Sequence, residues 1–277
     1  MARSRRVMKE GDANYHIMSR VNNKAFLFNK GTLKTEIVKM LKKSAEFSGI
    51  KLYAYSIMDN HFHVVCRVVK TEGGISEETV LKRIAALKGE KFAAEQRDRW
   101  ETLHGADLDC IVAAELNNWR RRMENISEFT KTFKQLVDIA YKKENKYCGS
   151  IWSGRFASTL IEDGKYLRTC IRYVELNPVR AGIVKRAEEY AWSSWKERQA
   201  NEDAGIAGSV PGEEAISEAR LMKRVAQIGA GKIFGSYAYV MRNLYAHGQC
   251  FTGGGSAQQV AGAACSSHGH NLAKEAA

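Results

Sequence analysis

No stretch of this chain is apolar over the ~18 residues that a membrane-crossing helix needs, so no membrane partner is expected. The N-terminus, Met1-Ala2-Arg3-Ser4-Arg5-Arg6, is basic, but no apolar segment follows it and no secretory signal is expected. Cysteine is sparse: six residues, scattered, with no Cys-x-x-Cys pair. That argues against a disulfide framework and suits a reducing cytoplasm. Excess charge is missing from the C-terminal part, where six basic and six acidic residues follow position 200. The whole net charge of +12 therefore lies in residues 1–200. A basic body with a neutral tail favours nucleic acid as the partner. At 277 residues the chain has room for one or two domains with a real core.

Around the stretch Asp59-Asn60-His61-Phe62-His63-Val64-Val65 the rest is organised. Successive strand side chains point to opposite faces, so His61 and His63 share one face and Phe62 takes the other. Two imidazoles side by side on a strand make two-thirds of a metal site. Residues 15–21 read as a first strand and 51–57 as a second. A helix lies between them, capped by Thr32 and ended by Gly49. A turn at 58–60 joins the second strand to a third, 61–69. On the third strand Phe62, Val64, Cys66 and Val68 look like core. The face with His61, His63, Val65 and Arg67 is mixed and can lie open to a ligand.

Residues 1–12 read as a charged, mobile arm, and 70–126 as a helix-rich insertion. The insertion contains Trp119-Arg120-Arg121-Arg122, which is either a solvated helix face or a phosphate-binding patch with a stacking surface. Ser127 is the expected cap of an amphipathic helix. Asp163 is the expected cap of the next, about 165–176, whose core face is Leu167, Cys170, Ile171 and Val174. Tyr173 and Asn177 neighbour each other on a flank of that helix. Pro178 should end it, leaving the Asn177 amide free to reach outward. Residues 200–214 read as a linker and 215–247 as a small helical unit, in which 231–236 resembles a helix–turn–helix bend. Residues 248–277 read as a disordered tail. His268-Gly269-His270 repeats the histidine spacing there, with no strand to fix it, and is assigned no function.

A tyrosine hydroxyl, with an ordinary pKa of ~10, is a poor nucleophile unless its target is made electrophilic. A divalent cation on a phosphate oxygen does that. His61, His63 and Asn177 offer two nitrogens and an amide oxygen, and Tyr173 stands one turn before Asn177. Such a set suits a hard octahedral ion, Mg²⁺ or Mn²⁺, better than a structural zinc. Tyr166, seven residues before Tyr173 on nearly the same flank, is either a packed surface aromatic or a rival nucleophile.

Two blocks carry a family resemblance: Met58-Asp59-Asn60-His61-Phe62-His63-Val64-Val65 and Tyr173-Val174-Glu175-Leu176-Asn177-Pro178-Val179-Arg180-Ala181-Gly182. They resemble the signature blocks of single-tyrosine HUH transposases, and more closely the REP-associated tyrosine transposases. Ile151-Trp152-Ser153-Gly154-Arg155-Phe156 and Trp192-Ser193-Ser194 resemble two further motifs of that branch. The resemblance covers about residues 13–196. It implies an α+β fold, a ferredoxin-like antiparallel sheet with helices on one face. It implies metal-dependent cleavage and rejoining of single-stranded DNA with palindromic hairpins through a 5′-phosphotyrosine. The metal falls on His61 and His63, completed by Asn177, and the nucleophile on Tyr173. Arg120, Arg121, Arg122, Trp152, Arg155 and Arg172 are the expected DNA contacts. The implied setting is the bacterial cytoplasm, at the nucleoid, as a monomer or homodimer. Two alternatives stand beside this reading, a non-catalytic regulator that binds hairpins and an RNA-processing enzyme.

Overall fold

The structure is a computed structural model that describes residues 7–203, 233–236, 238–239 and 242–243. The remainder of the expected linker, helical unit and tail, with His268 and His270, lies outside the described residues. The elements in order are β1 (Ala13–Arg20), α1 (Gly31–Ser48), β2 (Ile50–Ile57), β3 (His61–Val68), α2 (Glu77–Lys88), α3 (Glu90–Gly105), α4 (Asp109–Arg120), α5 (Ile126–Asn145), β4 (Ala157–Ile161), α6 (Lys165–Glu175), α7 (Asn177–Arg180), α8 (Trp195–Asp203) and β5 (Ile233–Phe234). The sheet order is β2-β3-β1-β4-β5. β3 is inserted between β1 and β2 and runs antiparallel to both; β4 is antiparallel to β1. This is the split β-α-β arrangement, and the α+β class is as expected. β5 adds a parallel pair on β4, at the place where the sequence suggested a helical bend.

The alternation read from β3 holds on its first face. Phe62, Val64 and Cys66 join Tyr15 and Ile17 of β1 and Leu160 of β4, and α1 and α5 cover them. The second face differs from expectation, because helices lie on both sides of the sheet. Ala54 and Val65 are apolar there, and α6 packs on them through Leu167, Cys170, Ile171 and Val174. Those four fall at helical spacing, and full burial of Leu167, Ile171 and Val174 is worth about 1.5–3 kcal/mol each.

Several local expectations change for identifiable reasons. The cap of α5 is Asn125, whose Oδ1 accepts from Ser127 N and Glu128 N. α1 starts at Gly31 with no side-chain cap, while Gly49 ends it in the left-handed region, as expected. α6 starts after Gly164 rather than on an Asp163 cap. The end of the N-terminal arm is docked rather than free. Val7 is 2 % exposed, Tyr15 Oη accepts from Lys9 N, and Asp12 receives Arg67 and Lys70 N.

The insertion has a core of its own, built on Phe47, Leu81, Ile84, Trp100, Val112 and Leu116. Glu124 ties it down. Its carboxylate accepts from Thr71 N, Thr71 Oγ1 and Arg83, and its N–H donates to Ser48 O. Glu124→Ala would leave the guanidinium of the mostly buried Arg83 unpaired. We expect a loss of about 2–3 kcal/mol, read as a lower midpoint in urea unfolding; an unchanged midpoint would contradict this role.

Candidate active site

β3 begins immediately after a turn held from several sides. Asp59 O accepts from Phe28 N, Asn60 O from Val21 N, and His61 O from Met58 N. The Asp59 carboxylate pairs with Lys34 Nζ at 2.5 Å. Lys34 is nearly buried and lies over the Trp192 ring. The turn that launches the histidines is thus bolted to α1.

His61 and His63 share the second face, as read, with ring centroids 5.0 Å apart. His63 is not open to a ligand in the way the sequence suggested, being 4 % exposed. Tyr173, on the overlying α6, contacts it edge to face at a centroid distance of 5.7 Å. The two motifs therefore meet within one chain. A third imidazole joins them: His16 on β1 lies 2.8 Å from His63 Nδ1 through its Nε2, and touches the Tyr173 ring at 6.0 Å. The sequence reading placed His16 only within a strand, since a single histidine among apolar residues carries no spacing signal.

Burial holds all three imidazoles neutral. It pushes His16 and His61 down to about 4, with Arg20 adding to the effect at His61. His63 is also lowered well below the usual histidine value by burial and by His16, His61, Arg180 and Arg20. Neutral imidazoles keep a lone pair for an electrophile. His61 Nδ1 faces Asn60 Oδ1 at 2.6 Å, so its Nε2 is the nitrogen left to bind.

Asn177 corrects an expectation. α6 ends at Glu175, before Pro178 as expected, but a second short helix, α7, follows at once, and Arg180 N donates to Leu176 O. Proline is tolerated because it stands in the first turn of α7, where an N–H has no intrahelical partner. Asn177 is 8 % exposed, so its amide faces protein and not solvent. Arg180, which the sequence reading passed over, lies over the Tyr173 ring at 4.6 Å. Arg20 Nε is buried with no hydrogen-bond partner. Both guanidinia add positive charge around His63.

α6 is anchored by Glu175, which is fully buried. It accepts from Ser194 Oγ at 2.8 Å and from Arg198, whose guanidinium approaches to 2.8 Å. The Trp192-Ser193-Ser194 segment runs beside β2: Ile57 N donates to Trp192 O, and Ser194 N to Tyr55 O. That motif thus covers a sheet edge and holds the tyrosine helix. Tyr166, the rival, packs against Phe234 at 5.1 Å.

Most expected DNA contacts are placed elsewhere or used otherwise. Trp152 is 7 % exposed, packs on Phe28 and Phe62, and donates from Nε1 to Lys134 O. It is a core residue, as tryptophan's large apolar area favours. Arg120 donates to Ile75 O, Arg121 to Asn118 Oδ1, and Arg122 lies over Phe47 and Trp119. Two of these three arginines thus hold the insertion together. Phe47 adjoins the Ile50–Val68 end of the sheet, whereas His61 pairs with Arg20 at the other end. At about 3.3 Å per residue the strand puts those ends roughly 20 Å apart. Arg155 is exposed, in a loop whose Ser153 donates to Arg20 O, at the His61 end. Arg172 is half-buried on α6.

Among the described residues, no group of three or more His, Cys, Asp or Glu is arranged to hold a metal. Nor is any helix of them long and apolar enough to cross a membrane.

Residues 10–100 match the family described as "Transposase IS200 like". A solved structure of a REP-associated tyrosine transposase bound to a REP hairpin aligns at 14 % identity and TM-score 0.48, covering 78 % of this chain and 94 % of that one. A provisionally assigned transposase from Deinococcus radiodurans aligns at 13 % identity and TM-score 0.29, covering 64 % and 97 %. No curated protein matches the chain.

Two predictions follow from this geometry. Glu175→Ala removes the buried carboxylate that Ser194 Oγ and the half-buried Arg198 share and should cost about 2–3 kcal/mol in denaturant unfolding; a change under about 0.5 kcal/mol would show that α6 is held otherwise. The depressed histidines bind protons more readily in the unfolded chain. Stability should therefore be flat above pH ~6.5 and fall as pH drops toward 4. Melting temperatures of metal-free protein across that range check the sign, and a rise on acidification would contradict it.

Proposed function

We propose that this chain, whose residues 10–100 match the IS200-like transposase family, cuts and rejoins single-stranded, hairpin-bearing DNA through a covalent bond to Tyr173. The observation that carries the reading is the contact of the Tyr173 ring with His63, which joins two motifs far apart in sequence. The basic body supplies the general attraction for a phosphate chain.

In the first step the Tyr173 phenol loses its proton and its oxygen bonds to phosphorus. The bond to the 3′ oxygen breaks, and that oxygen takes a proton and leaves as a free 3′-OH. The product is a 5′-phosphotyrosine, which conserves the energy of the phosphodiester. A second 3′-OH then attacks the same phosphorus, and Tyr173 recovers its proton. Arg180, over the tyrosine ring, and Arg20 place fixed positive charge where the phosphate oxygens gain negative charge.

The donors around this point fit a divalent cation. His61 has its Nδ1 engaged by Asn60 and its Nε2 left over, and His63 is neutral beside it; Asn177, at the start of α7, is the amide that this reading adds as the third donor. Mixed imidazole and oxygen donors suit Mn²⁺ or Mg²⁺. Such an ion would withdraw charge from a phosphate oxygen and make the phosphorus a better target. The chain's own part is to hold Tyr173 against the histidines and to keep those histidines neutral.

With hairpin-bearing single-stranded DNA and Mn²⁺, the wild type should give a protein–DNA band that resists boiling in detergent. Tyr173→Phe keeps the ring and its packing but should give none, while Tyr166→Phe retains the band. An adduct surviving in Tyr173→Phe would overturn the assignment, and cutting of the equivalent RNA would favour an RNA-processing role. Arg180→Ala should slow cleavage by about 10²-fold, the scale of losing one preorganised charge donor, with hairpin affinity little changed. Weakened binding at an unchanged rate would place Arg180 in DNA docking instead.

A further inference from the structure

We propose that His16 is a positioning residue that fixes the proton of His63 on Nδ1, so that His63 presents its Nε2 lone pair. This rests on the reading of His61 and His63 as ligands.

The register of the sheet creates the contact. His16 pairs with Val65, and His63 pairs with Met18. The two histidines are therefore diagonal neighbours on one face, within reach of long side chains. Their rings are nearly parallel, 9° apart, with centroids separated by 5.1 Å. The 2.8 Å between His16 Nε2 and His63 Nδ1, with one ring radius at each end, accounts for that separation. The rings thus lie end to end, and the hydrogen bond runs close to the plane of both.

Only one proton can occupy that bond. If His16 Nε2–H donates, a neutral His63 carries its own proton on Nε2 and has no lone pair to offer. If His63 Nδ1–H donates, Nε2 is free, and His16 carries its proton on Nδ1. At His61 the choice is already made. Asn60 Nδ2 donates to Lys24 O at 3.0 Å, which fixes the amide and turns Oδ1 toward His61 Nδ1 at 2.6 Å. An amide oxygen only accepts, so His61 holds its proton on Nδ1. A site that uses both imidazoles together needs the same tautomer at His63, and His16 Nε2 is the acceptor that supplies it. Acceptors of this kind behind metal-binding histidines typically change affinity 10–100-fold.

The test uses the full chain, free of metal, with ¹⁵N-labelled histidine. Long-range ¹H–¹⁵N spectra should show His63 as the Nδ1–H tautomer. His16→Phe keeps a ring in the slot and removes the acceptor. It should shift His63 toward Nε2–H and weaken MnCl₂ binding at least tenfold by calorimetry. His16→Gln returns an acceptor and should restore the Nδ1–H pattern and part of the affinity, which a purely structural role would not produce. Finding His63 as Nε2–H in the wild type overturns the proposal, even if His16→Phe fails to fold. An unchanged tautomer, or Mn²⁺ affinity within twofold, in a folded His16→Phe overturns it too. If the wild type shows Nδ1–H but binds no Mn²⁺, with or without DNA, the ligand reading fails while the positioning by His16 stands.

Discussion

Burial of one apolar stripe of α6 against Ala54 and Val65 brings Tyr173 to His63. Nothing in the covalent chain makes that meeting necessary. The stripe uses positions 167, 170, 171 and 174, so helical phase places Tyr173 at the edge of the buried face. The Glu175 carboxylate, gripped by Ser194 and Arg198, stops the helix from sliding along that stripe. A buried ion pair is weak support for stability, because desolvation offsets much of its attraction. Its value here is directional, since it ties the end of the tyrosine helix to a segment bonded along β2.

The other half of the site depends on a turn. Lys34, Asp59 and Trp192 form one cluster, so α1, the β2–β3 turn and the segment after α7 share a single junction. That junction fixes where β3 starts, and β3's pleat then fixes His61 and His63. The same pleat carried across to β1 brings in His16, and the β1–β3 pairing sets Arg20 opposite His61. The positive charge near the histidines and their neutrality are linked, because both come from burying them under α6 beside two guanidinia.

The sequence made the strand–helix–hairpin core readable because period two and period 3.6 differ plainly in these segments. His61 and His63 were readable by their spacing, and Tyr173 with Asn177 by helical neighbourhood. His16 was not, because a diagonal contact depends on strand register, which a single strand does not reveal. The covering of the second face was hidden as well: Ala54 and Val65 are too few to distinguish a half-open face from one packed under a single helix. Trp152 is packed in the core and Arg122 lies against Phe47 and Trp119, uses that the sequence does not separate from DNA contact. Aromatic and guanidinium groups serve DNA stacking and core packing equally well, and only burial separates the two uses. Pro178 reads as a helix stop, and α6 does end at Glu175; what the sequence does not show is the new turn, α7, that takes Pro178 into its first turn.

The central claim is that histidines and tyrosine form one site within a single chain. Mixing two inactive variants tests it most directly. His63→Ala and Tyr173→Phe should each fail to cut hairpin-bearing DNA, and an equimolar mixture should fail as well, because each chain lacks one half of its own site. Cleavage restored in the mixture to a substantial fraction of the wild-type rate would contradict the account, since Tyr173 of one chain would then be acting beside His63 of another.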